Sequence, residues 1–267
     1  MRRLLITLAV ILALLAGCDS KEPPEESSRP ADSNAAGSRE LLFYCGAGLR
    51  PPAEDLIKAF EAKHGVKVNP DYAGSETLLS KIKISQRGDL YMPGDALYVQ
   101  RADSQGLILS HGPVCYWVPT ILVQKGNPKD VHTLEDLLKP GLKVGLGDPN
   151  VCAIGTIAWR VLEKNGITWP AIEENLKFQS LTVNELGLQI QARALDAVIV
   201  WDAMASYYSE HGDAVPIPPQ NNAISAVDIG VLKYTNDRSL AEKFVAFLAS
   251  DEGRAIFSKH NYSTQAP

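Results

Sequence analysis

The sequence predicts an α/β protein made of two successive units in which strands alternate with helices, followed by a return of the chain. Three observations carry this. Short apolar runs of strand length alternate with stretches whose apolar residues recur every three or four positions. The alternation is interrupted near Pro119 and then resumes. With 45 % apolar residues, the part beginning at Glu40 can bury a sizeable core, as one large domain or as two lobes.

Residues 1–18, MRRLLITLAVILALLAGC, start with Arg2 and Arg3, continue in an apolar run too short to span a bilayer comfortably, and end at Leu15-Ala16-Gly17-Cys18. This reads as an export signal over 1–17. A buried helix is disfavoured by the Arg pair and the polar chain that follows, and a plain secretory signal lacks a good Ala-x-Ala-like site. The final tetrad resembles the bacterial lipobox, which implies cleavage before Cys18 and a lipid on its sulfur. Residues 19–39 are rich in Ser, Pro and Glu and hold no large apolar side chain, so they cannot offset the entropy of ordering. They form a tether whose random-coil reach is about 25 Å. No later run is long enough to cross a membrane.

The chain has 26 basic and 31 acidic residues; losing Arg2 and Arg3 with the signal leaves 24 against 31, or −7. No Lys/Arg cluster exceeds a dipeptide, which excludes a nucleic-acid partner. With Cys18 assigned to the lipid, Cys45, Cys115 and Cys152 remain, an odd number for an oxidising compartment. They form no Cys-x-x-Cys, and His64, His111, His132, His211 and His260 are scattered, so no metal site or cofactor is expected.

Each element has its own signal. Leu41-Leu42-Phe43-Tyr44 reads as a buried strand feeding Cys45-Gly46-Ala47-Gly48. Pro51 and Pro52 suit a first helical turn, and Ala53, Leu56, Ile57 and Phe60 give that helix one apolar face ending near His64-Gly65. Val66-Lys67-Val68 reads as a strand, Asp71-Tyr72-Ala73-Gly74-Ser75 as a turn and 77–84 as a helix. Asp89-Leu90-Tyr91 is a strand and 96–104 a helix. Residues 116–123 form a strand candidate broken by Pro119. A short helix at 134–138, a strand at 143–146, a loop at 148–152 and a helix through Ile157, Ala158, Val161 and Leu162 follow. Buried strands are expected at 197–201 and 223–232, and amphipathic helices at 240–248 and 252–259.

Three loops share a design: Cys45-Gly46-Ala47-Gly48, Ala73-Gly74-Ser75-Glu76-Thr77 and Val151-Cys152-Ala153-Ile154-Gly155-Thr156. Each follows a strand, carries little side-chain bulk and opens a helix. The first helical turn has unpaired N–H donors and a positive dipole end, so small residues there let an anion reach the backbone. Ser75 and Thr77 add hydroxyls. For any one loop, a cap and a tight turn would explain the same residues.

Ala73-Gly74-Ser75-Glu76-Thr77-Leu78-Leu79-Ser80-Lys81-Ile82 resembles the Gly-Ser-Ser-x-x-Leu-x-x-Gln-Ile segment of the molybdate- and tungstate-binding proteins of ABC importers. Gly88-Asp89-Leu90-Tyr91 is similar to that family's Ala-Asp-Val-Phe, Asp148-Pro149 with Val151-Cys152-Ala153 to its Asp-Pro and Val-Pro-Ala-Gly, and 195–201 to its Ala-Asp-x-Gly-Ile-Val-Tyr. The match runs in order from Leu41 to the C-terminus. The resemblance implies a two-lobed type II periplasmic-binding fold, each lobe a mixed, mostly parallel sheet flanked by helices, with lobe 1 at 40–119 plus 225–267 and lobe 2 at 120–224. It further implies a non-enzymatic, monomeric lipoprotein that captures a tetrahedral oxyanion between the lobes and delivers it to a permease. Ser75 would donate a hydroxyl, Ala47 or Gly48 an amide from the first lobe, and Ala153 and Val183 amides from the second.

Departures keep other ligands open. Gly48 precedes Leu49 where the family has a Ser, and Trp201 stands where it has an anion-binding Tyr. Cys45 and Cys152 flank ligand loops, and Glu76 and Asp202 lie nearby as rim charges or as parts of a cation's shell. Another anion on the same fold (sulfate, phosphate or an arsenic oxyanion), a thiophilic metal, ferric iron, or an exported thiol redox protein or metal chaperone stays open. No Gly-x-Ser-x-Gly elbow, no His-Glu-x-x-His helix and no Ser-x-x-Lys followed by a Lys-Thr-Gly points to an enzyme.

Overall fold

The computed structural model of the protein describes residues 40–266. The export signal, Cys18 and the tether lie outside the described residues. From Glu40 the chain forms two five-stranded sheets.

The first sheet begins with β1 (Glu40–Gly46), α1 (Arg50–His64) and β2 (Lys67–Ala73), continues through α2 (Ser75–Ser85), β3 (Leu90–Met92) and α3 (Ala96–Ser104), and receives β4 (Ile108–Trp117). The chain then crosses at Val118 into the second sheet: β5 (Pro119–Gln124), β6 (Val144–Gly147), α4 (Ala153–Lys164), α5 (Trp169–Glu173), β7 (Leu176–Ser180), α6 (Val183–Gln191), β8 (Ala197–Trp201), α7 (Asp202–Tyr207) and β9 (Gly212–Pro216). It returns as β10 (Ser225–Leu232) and ends in α8 (Arg238–Leu248) and α9 (Asp251–Lys259).

Strand order is β2-β1-β3-β10-β4 in one sheet and β7-β6-β8-β5-β9 in the other. In each, one strand is reversed: β10 is antiparallel to β3 and β4, and β5 is antiparallel to β8 and β9. The reversed strands are the two that follow a crossing, because a chain arriving from the other sheet enters from the opposite end. We refer to the halves built on the two sheets as the first and second lobes.

Local signals explain most boundaries. Pro51 and Pro52 occupy the first turn of α1, and Gly65, at φ 62°, closes it in the left-handed conformation that glycine adopts without strain. Phe60 packs edge-on against Phe244, which meets Phe43 the same way, fastening α1 and α8 to β1.

Two readings of the sequence need correction. The turn expected at 71–75 is strand through Ala73: β2 pairs with β1 from Glu40↔Lys67 to Gly46↔Ala73, and the ladder satisfies the backbone. Pro70 is tolerated because β2 lies at the sheet edge. The strand expected over 116–123 is two strands in different sheets, with Pro119 opening the second, a position that needs no N–H. Residues 165–195, given no element from sequence, hold α5, β7 and α6; β7 is an edge strand of alternating exposure and offers no apolar run.

Candidate functional site

Strand ends from both sheets meet at a small cavity. Four helix starts surround it. The 3-10 turn Ala47–Leu49 and α2 come from the first lobe, α4 and α6 from the second. None of the four has a side-chain cap; α1, α5 and α7 also lack one, while α3, α8 and α9 are capped by Asp95, Asp237 and Ser250. Four helix starts therefore keep first-turn N–H groups without side-chain acceptors around one cavity, where they favour negative charge.

Ser75 is the built donor. It is 3 % exposed, and its Oγ accepts the Gly94 N–H at 3.0 Å. That bond uses a lone pair and leaves the hydroxyl proton with no protein acceptor among the described residues. The Tyr91 hydroxyl donates to the Ser75 carbonyl at 2.8 Å and holds the start of α2 in place.

Beside it lie two indoles. Trp117 ends β4 and Trp201 ends β8; their rings stack with centroids 4.5 Å apart and planes 7° apart. The Trp117 N–H donates to the Gly94 carbonyl at 3.0 Å, while no described residue accepts the Trp201 N–H. Tyr262 packs on Trp117 and donates its hydroxyl to the Gly48 carbonyl at 2.5 Å, fixing the 3-10 turn.

The lobes touch. Glu76 N–H donates to the Val151 carbonyl across the cleft at 3.1 Å, and the Tyr98 and Thr156 hydroxyls stand 3.3 Å apart. A Cβ on Gly74 would lie 2.8 Å from the Leu181 carbonyl oxygen and 2.9 Å from that of Val151; one on Gly48 would lie 2.7 Å from Val183 Cγ1. Glycine at these two positions permits that approach.

Of the residues singled out from sequence, Ala47, Gly48, Ser75, Cys152, Ala153, Val183 and Trp201 line this cavity. Thr77, Glu76, Cys45 and Asp202 do not. Thr77 is exposed, since α2 begins at Ser75 and turns position 77 outward. Glu76 reaches Arg101 at 2.7 Å. Cys45 is fully buried inside the first lobe, and burial pushes its thiol well above the ordinary range. Asp202 accepts the N–H groups of Val118 at 3.1 Å and Ala203 at 2.8 Å, and its own N–H donates to the Val118 carbonyl, so it pins a crossing segment. Burial raises its carboxyl, and those bonds oppose the rise.

Cys45, Cys115 and Cys152 are all free. Burial pushes the Cys152 thiol up to about 12, so it is neutral in the cavity near pH 7. No charged side chain lines the cavity, and no cluster of three or more His, Cys, Asp or Glu suited to a metal ion occurs among the described residues.

Gly94, Trp117 and Thr182 also line the cavity and escaped sequence reasoning. Pro93-Gly94-Asp95, a turn between β3 and a capped helix, was a usable signal for Gly94. Trp117 sat within an apolar run that read as core.

The family model for bacterial extracellular solute-binding protein matches residues 41–263. The molybdate-binding protein ModA of Mycobacterium tuberculosis is 26 % identical over 258 residues, covering 96 % of this chain and 95 % of that protein. A sulfate-binding protein of Synechococcus elongatus is 28 % identical, covering 98 % and 81 %. The periplasmic molybdate-binding protein of Azotobacter vinelandii superposes with a TM-score of 0.75 at 17 % identity, covering 85 % of this chain and 100 % of that one, a likeness of fold.

Proposed function

We propose, from the premise that this chain belongs to the bacterial extracellular solute-binding proteins, that it captures molybdate or tungstate between its lobes and hands the anion to the permease of an ABC importer. The observation that carries the reading is the cavity: uncapped helix starts from both lobes and the unshared Ser75 proton converge on a space with no charged side chain. N–H and O–H dipoles fixed by the fold bind a dianion with little reorganisation. They offer few acceptors to a protonated competitor. Because both lobes contribute donors, the anion stabilises the closed state, and closure signals occupancy to the permease.

On this reading the lobes run 40–118 plus 225–267 and 119–224, since Pro119 opens β5 of the second sheet; the chain acts as a monomer, and the lipid on Cys18 moors it through the 19–39 tether. Sulfate is the second reading, favoured by the sulfate-binding relative at 28 % identity.

The test is calorimetry and thermal unfolding of the mature protein with molybdate, tungstate, sulfate and phosphate, with and without reductant. A ligand at a hundred times its Kd raises stability by about 2.7 kcal/mol. Molybdate or tungstate should give the tightest binding, independent of reductant. If no oxyanion moves the transition while Cu(I) or Zn(II) raises it, the oxyanion reading fails and a thiol site on Cys152 takes its place.

A further inference from the structure

The protein carries a net charge of −5 and must admit an anion. A solvent-open groove of about 560 Å³ lies at the side of the cleft, bounded by Tyr98 and Arg101 of the first lobe and by Asn150, Thr156 and Arg160 of the second. Within it is the Tyr98–Thr156 contact, which joins the lobes. The Thr156 N–H donates to the Cys152 carbonyl at 3.4 Å, and Cys152 lines the ligand cavity. Groove and cavity thus adjoin across a contact that opens when the lobes part.

The charges in this groove are unequal. Arg101 stacks over Tyr98 and pairs with Glu76 at 2.7 Å, so those two charges largely cancel. Arg160, from α4, is exposed and makes no ion pair among the described residues. Asp95 feels the Arg160 charge but is buried and has both oxygens engaged, one by Leu97 N–H at 2.7 Å and one by the Ser225 hydroxyl at 2.6 Å, and Glu163, one turn further along α4, makes no ion pair with Arg160. A second groove, on the far side of Glu76, is lined by Thr77, Ile84 and Val151, and its cation, Lys81, is bonded to Asp71 at 2.9 Å.

We infer that the Arg160 groove is the vestibule through which anions approach the cavity, and that Arg160 speeds capture without touching the bound guest. This rests on the cavity being the ligand site. A cation at the mouth of a low-dielectric cleft raises the local concentration of anions and so the association rate, in a salt-dependent way.

Cys152 supplies a test independent of the ligand's identity. A methanethiosulfonate reacts with it when the thiolate attacks the sulfenyl sulfur: an S–S bond forms, methanesulfinate leaves, and the thiol proton goes to solvent. The full mature protein is labelled with anionic sulfonatoethyl and neutral methyl reagents, and peptide mass spectrometry gives the rate at Cys152. The anionic-to-neutral rate ratio should fall about fivefold in Arg160→Glu, less in Arg160→Gln, and also fall in the native protein as salt is added. Arg193→Glu, an equal charge change at an exposed site elsewhere, should leave the ratio unchanged. Equal ratios in the native protein and Arg160→Glu, an equal effect from Arg193→Glu, or no reaction of Cys152 with the neutral reagent would each overturn the vestibule. Failure of molybdate to bind in calorimetry would sink the ligand reading and leave these ratios to decide the vestibule.

Discussion

Ser75 shows how one side chain serves fold and ligand together. Its oxygen receives the Gly94 N–H, its side chain lines the cavity, and its proton has no acceptor among the described residues. Replacing it with Ala removes a donor to a charged guest, worth about 1.5–3 kcal/mol, and strands a buried N–H at about 1–3 kcal/mol. Ser75→Ala should therefore weaken oxyanion binding at least tenfold in calorimetry and lower the urea midpoint modestly; undiminished affinity would make Ser75 only a latch for Gly94. Cys152 makes a prediction about pH. Burial lifts its thiol from 9.0 to about 12, so as pH rises the unfolded chain loses this proton first. Between about pH 9 and 12 the folded state then binds more protons than the unfolded one, and stability falls with pH; below pH 9 the contribution is intact. Cys152→Ala should lose less stability than the native protein in urea titrations between about pH 8 and 10.5, and parallel losses would refute the assignment. At this scale sequence identified small and hydroxyl residues at helix starts, since local chemistry announces them. It missed that Glu76 would be taken by Arg101 and Asp202 by Val118, because those partners lie 25 and 84 residues away.

The helix starts around the cavity lack side-chain caps, as those of α1, α5 and α7 do. A helix start without a cap sacrifices about 1 kcal/mol of local stability, and four such starts meet here. Gly74 takes φ −64° and ψ 150°, which any residue adopts, so a methyl group there strains nothing within the first lobe. Its collision is with the Leu181 and Val151 carbonyls of the second. Gly74→Ala should keep the unfolding midpoint of the free protein and lose oxyanion affinity by tenfold or more, because only the closed form suffers. A matching loss of ligand-free stability would place the clash inside the first lobe instead. Sequence revealed α1, α3, α8 and α9 because each has an apolar stripe with clear ends. It missed β7 because an edge strand of alternating exposure resembles loop.

At the scale of the whole described chain, two similar sheets exchange the backbone at Val118 and again between β9 and β10. The strand–helix alternation was readable because it is local. The reversal of β5 and β10 was not, since it follows from where the chain crosses and no residue pattern encodes it. Val118 stands between a strand ending at Trp117 and one starting at Pro119, and the reciprocal bonds to Asp202 hold it. Each half of the protein contributes one ring to the indole sandwich, and the rings lie nearly parallel only while the halves are together. Two indoles stacked at 4.5 Å perturb each other's absorption and fluorescence, an effect that fades as they separate. The molecule thus carries an intrinsic optical gauge of its opening, readable in unlabelled protein.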